Sequence, residues 1–162
     1  MKLLATCVVL LGVTLLRAEP EYPKLGPDIY DTKADGSTLV ENAIVTANAT
    51  HRRILLDFGA NWCVWCRRLH HTFETDPTVR KALEDNFVVV MIDANNRDGK
   101  DRNASLNRYY ENPLKEGLPV LVVLEKDGRQ LKTQDTALFE NGKDGHDPKK
   151  IVAFLTEWAP KK

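Results

Sequence analysis

Apolar residues along this chain of 162 residues occur in two patterns: continuous runs, which predict strands, and residues three or four positions apart, which predict helices. Three mostly apolar runs, at 53–58, 87–92 and 120–124, predict strands buried in a sheet that is covered on both faces. A turn at Lys126–Gly128 is followed by 129–133, which is predicted to pair as an edge strand. Apolar residues spaced three or four positions apart predict amphipathic helices over 37–49, 66–73, 77–86, 102–110 and from 148 onward.

Helix start signals support this order of elements. Ser37 is the candidate N-cap of the first helix, and the pairs Asp76-Pro77 and Asp147-Pro148 each combine a capping side chain with a proline suited to the first helical position. Helices between the early strands imply parallel crossovers, and the late hairpin adds an antiparallel edge. We therefore predict an α/β fold with a central mixed sheet of about four strands and helices on both faces. A short stretch near Ile29-Tyr30 is a candidate fifth strand.

The N-terminus has the three-part form of a secretory signal peptide. Lys2 is a short basic start, 3–16 is almost wholly apolar, and Ala18 offers a small residue at the cleavage site. The alternative is an uncleaved anchor, but fourteen apolar positions are short of the roughly 20 needed to span a bilayer. We predict a signal peptide at 1–18, an extended leader at 19–36 and one folded domain at 37–160.

Charge and cysteine content narrow the class of function. Lysine plus arginine equal aspartate plus glutamate at 23 each, with no basic stretch, so neither nucleic acid nor an anionic membrane is expected as a partner. Signal cleavage would remove Cys7 and leave Cys63 and Cys66 in an oxidising compartment. A disulfide that closes so short a loop gains little chain entropy. The pair is therefore a better candidate for redox chemistry than for a structural bridge.

The two cysteines lie where a predicted strand gives way to a predicted helix. Unpaired N–H groups and the helix macrodipole favour a thiolate at that position, so Cys63 is expected to be exposed, to have a lowered pKa and to attack as the nucleophile. Cys66 shares a helical stripe with Leu69 and Phe73 and is expected to face the core. His70 and His71 lie on the same short helix, a poor arrangement for zinc, so no metal site is predicted.

The stretch from Asp57 to Cys66, together with Gly117-Leu118-Pro119, resembles the thioredoxin superfamily. The resemblance covers about 37–158 and is nearest to the C-terminal thioredoxin-like domain of the bacterial transmembrane thiol–disulfide interchange protein. It implies a thioredoxin fold in which Asp57 accepts the proton of Cys66. A buried carboxylate without a partner or a task would be costly, which agrees with that role. The alternative is an aspartate at the strand end that is bonded to the backbone or to a buried hydroxyl. The family's companion lysine has no counterpart, and its place falls near Val89.

The same resemblance assigns the opposite wall of the site. Pro119 would be preceded by a cis peptide bond, and Leu118 would offer backbone groups to an extended substrate segment. Trp62 and Trp65 bracket the cysteines and are candidate substrate-binding residues, although ordinary packing would equally explain Trp62. Val64-Trp65 stands where the superfamily often has Gly-Pro. Because these residues tune the redox potential, the direction of electron flow stays open.

These features predict an exported thiol–disulfide oxidoreductase, periplasmic or secreted, that reduces protein disulfides. Its catalytic residues would be Cys63, Cys66 and Asp57, and the redox-active disulfide would make a separate cofactor unnecessary. Its partners would be protein thiols or disulfides and an upstream electron donor, and we expect a monomer without stable membrane insertion after signal cleavage. The alternatives are a disulfide oxidase or isomerase, and a non-enzymatic module that binds clients or a metal through the same face.

Overall fold

The structure is a computed structural model that describes residues 26–161. The predicted signal peptide and the first part of the predicted leader lie outside the described residues. The elements follow one another as predicted, with a 3-10 turn at Pro113–Glu116 and another at Thr136–Phe139. Their order is α1 (Gly36–Thr50), β1 (Arg53–Gly59), α2 (Val64–Thr75), α3 (Pro77–Asn86), β2 (Phe87–Asp93), α4 (Ala104–Tyr109), β3 (Val120–Leu124), β4 (Gln130–Asp135) and α5 (Pro148–Glu157).

The strands form one mixed sheet in the order β2-β1-β3-β4, which confirms the predicted α/β class. Strand β1 runs parallel to β2 and antiparallel to β3, and β4 is the antiparallel edge. Successive side chains of a strand point to opposite faces. Ile54, Leu56 and Phe58 therefore pack on the face that α1 and α4 cover. Leu55 packs with residues of α2, α3 and α5 on the other face, which is also the face of Asp57.

Two of the three predicted helix caps are confirmed. Asp76 accepts hydrogen bonds at the start of α3 and Asp147 at the start of α5, each with proline at the first helical position. The prediction of Ser37 as the cap of α1 is wrong, because the Asp35 carboxylate accepts the backbone N–H and the hydroxyl of Thr38. A carboxylate and a hydroxyl are both good caps, so the sequence offered two competing start positions.

The described part of the leader packs on the domain without forming a strand. The N–H groups of Ile29 and Tyr30 both donate to Oδ1 of Asn61, at 2.8 and 3.0 Å. Nδ2 of Asn61 donates back to the Tyr30 carbonyl, and Arg67 donates to the Pro27 carbonyl. The predicted fifth strand is therefore wrong: one asparagine side chain pairs the backbone groups that a neighbouring strand would otherwise pair. Within 26–161, no helix is long and apolar enough to cross a membrane.

Candidate redox site

The Cys63–Cys66 pair lies at the junction of β1 and α2, as predicted, and is joined by a disulfide bond. Helix α2 begins at Val64, with Cys63 as its N-cap residue. Sγ of Cys63 accepts the backbone N–H of Cys66 at 3.1 Å. That sulfur thus lies at the positive end of the helix macrodipole, where negative charge is stabilised.

The two sulfurs are both buried in the disulfide form. Cys66 is fully buried as predicted, but Cys63 is only 6% exposed, so the prediction of an exposed Cys63 is wrong for this state. The cause is tertiary packing, because half-buried Trp62, Trp65 and Leu118 pack around the pair. Cys63 remains the more accessible of the two cysteines.

Leu118 and Pro119 form the wall that faces the disulfide. The peptide bond between them is cis, as the resemblance implied. The Leu118 carbonyl oxygen lies 3.7 Å from Sγ of Cys63. Pro119 is buried, and its carbonyl accepts the Thr136 hydroxyl, which ties this wall to the end of β4. The backbone of Leu118 is thus held beside the sulfur that would meet a substrate.

An arginine guanidinium stacks on the ring of each tryptophan of the site. Arg97 lies 3.4 Å from the ring centre of Trp62, whose Nε1 donates to Oδ1 of Asn95 at 2.8 Å. Arg68 lies 4.6 Å from the ring centre of Trp65. Such stacking fixes the orientation of the rings. The two rings, together with Val64, Leu114 and Leu118, line a shallow groove beside Cys63.

Asp57 is fully buried on β1, the strand that leads to the cysteine pair. Its Oδ1 accepts the Tyr30 hydroxyl at 3.0 Å, and Tyr30 packs in the same cluster as both cysteines. Among the described residues, Oδ2 of Asp57 has no hydrogen-bond partner. Burial raises the pKa of Asp57 to about 7, and the Tyr30 hydrogen bond partly opposes that rise. The carboxyl group can therefore gain and lose a proton near neutral pH.

The strand register shows which residue of β2 is paired with Asp57. Asp57 is paired with Met91 on β2, whereas Val89 is paired with Leu55 and is partly exposed. The expected place of the companion lysine, near Val89, lies two residues before Met91 on the same strand. Methionine cannot supply the positive charge that a lysine would bring, so Asp57 has no cation at the neighbouring position on β2.

Sequence reasoning missed Tyr30 and His146. Tyr30 lies 27 positions from Asp57, and no local pattern links the two residues. His146 follows a polar loop but is buried edge-on against Trp65, with ring centres 5.4 Å apart. Burial, followed by the nearby Arg68 charge, lowers the pKa of His146 to about 4. No group of three or more metal-ligating side chains was found in the part of the chain that the structure describes.

Comparison with known proteins places this site in a family. The thioredoxin-like family matches residues 37–126, which is more than half of the chain. The chain belongs to the thioredoxin-like family. A disulphide isomerase from Xylella fastidiosa Temecula1 is 32% identical, with a TM-score of 0.70, and the match covers 81% of this chain and 96% of that one.

Further thioredoxin-like relatives carry out thiol–disulfide interchange, according to their names. The protein DsbD from Ralstonia nicotianae is 34% identical over 119 residues, which is 65% of this chain and 19% of DsbD. This chain thus spans about a fifth of that relative. The C-terminal domain of Neisseria meningitidis DsbD shares the fold, at 20% identity and a TM-score of 0.51, over 77% of this chain and 97% of that domain. This thioredoxin-like chain carries the Cys-x-x-Cys pair of thiol–disulfide oxidoreductases.

Proposed function

We propose that this protein reduces protein disulfides by a dithiol–disulfide cycle at Cys63 and Cys66. The observation that carries the proposal is the difference in position between the two sulfurs, in a cluster whose Tyr30 binds the buried acid Asp57. Cys63 lies at a helix N-terminus and is the more accessible sulfur, whereas Cys66 is fully buried and packs with Tyr30, whose hydroxyl binds Asp57. An arrangement of this kind separates the roles of nucleophile and resolving thiol.

The cycle begins with the reduced pair. The Cys63 thiolate attacks one sulfur of the substrate disulfide, and the other substrate sulfur leaves as a thiolate that takes a proton from solvent. Cys66 then loses its proton to Asp57 and attacks Sγ of Cys63. The bond between Cys63 and the substrate breaks, and its electron pair leaves on the substrate sulfur, which is protonated. The substrate gains two electrons, and the Cys63–Cys66 disulfide must then be reduced again by a dithiol donor protein.

The groove beside Cys63 gives this cycle its substrate site. An extended segment would lie along Leu118, whose backbone is next to the sulfur, and would contact Trp62 and Trp65. Apolar rings and exposed Val64 favour a substrate that shows an apolar surface around its disulfide. The substrates are therefore proteins or peptides with a locally unfolded segment.

The charge of Asp57 supports the reductive direction of electron flow. Asp57 binds Tyr30, which packs with both cysteines, and it ionises near neutrality without a lysine opposite it on β2. Negative charge in this cluster disfavours a thiolate and stabilises the disulfide. A protein whose own disulfide is stable acts as a reductant of other disulfides. The helix N-terminus has the opposite effect, because it stabilises the Cys63 thiolate and so favours the reduced pair. A stable reduced pair is typical of an oxidase or isomerase, which is the competing function.

Insulin reduction tests the proposal. With a dithiol donor present, the wild-type protein should speed the precipitation of insulin chains, and Cys63→Ser should return the rate to that of the donor alone. Cys66→Ser should instead accumulate mixed disulfides with its substrates. Equal rates for wild type and Cys63→Ser would refute the enzymatic function and would favour a binding module.

We also propose that the protein is exported to the periplasm or secreted. The support is the signal-like sequence of residues 1–18 and the resemblance to interchange proteins. Fusing residues 1–18 to a reporter that is active only after export should give activity, and a cytoplasmic, inactive fusion would contradict the proposal.

A further inference from the structure

In the described part of the leader, Tyr30 reaches the buried acid of the site. Its ring is 1% exposed and packs with Ala60, Cys63 and Cys66. Its hydroxyl donates to Oδ1 of Asp57 at 3.0 Å. A buried hydroxyl in contact with a group that titrates near neutrality can affect the chemistry as well as the packing.

Two neighbouring residues, Asn61 and Gly59, hold the Tyr30 hydroxyl in place. Asn61 holds the backbone on both sides of the ring through three hydrogen bonds, so Tyr30 is fixed from the strand–helix junction itself. Gly59 lies under the hydroxyl, and a Cβ atom at that position would collide with the Tyr30 hydroxyl and ring. Only glycine leaves room for the contact with Asp57.

The two carboxylate oxygens of Asp57 therefore differ in their hydrogen bonding. Oδ1 is occupied by the Tyr30 hydroxyl, while Oδ2 is buried and lacks a hydrogen-bond partner among residues 26–161. Burial, followed by the negative charge of Asp57, raises the pKa of Tyr30 well above its usual range. The hydroxyl therefore keeps its proton and remains a donor throughout the physiological pH range.

We propose that Tyr30 is a positioning residue for the proton transfer from Cys66 and acts through the Asp57 carboxylate. This inference rests on the proposed function and extends it. The Tyr30 hydroxyl stabilises the ionised carboxylate, which must be present before Cys66 can lose its proton. It also leaves Oδ2 as the oxygen that receives the proton. The Cys66 thiolate then forms the bond to Cys63, and the substrate sulfur leaves with its electron pair.

Reaction of the reduced protein with dithio-bis-nitrobenzoate separates the two steps. Attack by Cys63 releases the first nitrothiobenzoate, and attack by Cys66 on the mixed disulfide releases the second, so absorbance shows two phases. In Tyr30→Phe, the pH midpoint of the second phase should rise by about one unit, which is about a tenfold slower step below the midpoint. The first phase should be unchanged.

Two control variants identify the route of the effect. Tyr110→Phe also removes a buried hydroxyl, but on the opposite face of the sheet, and should leave both phases unchanged. In an Asp57→Asn background, Tyr30→Phe should add nothing, because the residue acts through that carboxylate. If Tyr30→Phe misfolds, 3-fluorotyrosine at position 30 keeps the ring and strengthens the donor, and it should lower the midpoint.

An unchanged second-phase midpoint in folded Tyr30→Phe would overturn the inference, as would an effect that persists in Asp57→Asn. Equal slowing of both phases would indicate a purely structural role and would also overturn it. Insulin reduction by Tyr30→Phe at high pH separates failure of this inference from failure of the proposed function. If the variant reduces insulin there and its second-phase midpoint is unshifted, only the role of Tyr30 is refuted.

Discussion

Replacing Asp57 with asparagine should stabilise the oxidised protein, and the gain should grow as the pH rises. Burial raises the folded-state pKa of Asp57 from 3.8 to about 7. At Asp57 the folded state therefore binds more protons than the unfolded state between these values, so the contribution of Asp57 to wild-type stability falls as pH rises through this window. Three units of pKa correspond to about 4 kcal/mol in total, of which about 2.5 kcal/mol falls between pH 5 and pH 8.

Urea unfolding of the oxidised wild-type and variant proteins at pH 5 and pH 8 measures this effect. The difference between the two proteins isolates Asp57, because the titration of His146 and other groups is common to both. Asp85→Asn is the matched control, since Asp85 is exposed on α3 and forms only a surface pair with Lys81. The reasoning would be refuted if the gap between wild type and Asp57→Asn stayed constant from pH 5 to pH 8.

Two further predictions concern contacts that the sequence did not reveal. Asn61→Ala removes the three hydrogen bonds to the leader and should lower the free energy of unfolding in urea by about 2–4 kcal/mol. Asn48→Ala, at an exposed site, should lower it much less. Equal losses in the two variants would show that Asn61 does not hold the leader. Because the folded-state pKa of His146 is lowered to about 4, the contribution of His146 to stability should fall as the pH falls from about 6.5 towards 4, opposite in sign to that of Asp57. In thermal unfolding, the stability of the wild type relative to His146→Phe should therefore fall as the pH falls, and a difference that stays constant with pH would contradict the assignment.

The fold could be predicted because its signals are local. Apolar runs mark the strands, and the pairs Asp76-Pro77 and Asp147-Pro148 start two helices where the structure starts them. The redox pair was also found from local order, since two cysteines between a buried run and a helical stripe define a strand–helix junction. Short-range patterns of this kind depend on backbone geometry, and neighbouring residues determine that geometry directly.

The interior of the site could not be predicted from the same patterns. Tyr30 reaches Asp57 only because Gly59 leaves space and Asn61 holds the leader, and this depends on three-dimensional packing between distant segments. The burial of Cys63 likewise depends on Leu118, which is 55 positions away. The choice of Asp35 over Ser37 as a cap was a competition between two suitable residues that sequence alone did not decide.

The equilibrium reduction potential of the Cys63–Cys66 pair tests the central claim most directly. The protein would be equilibrated with graded ratios of reduced to oxidised glutathione, then quenched with a thiol-alkylating reagent and assayed for the fraction reduced. A reductant should give a value near that of thioredoxin, about −270 mV. A value near −180 or −120 mV, approximately those of a disulfide isomerase and a strong oxidase, would contradict the proposed direction of electron flow.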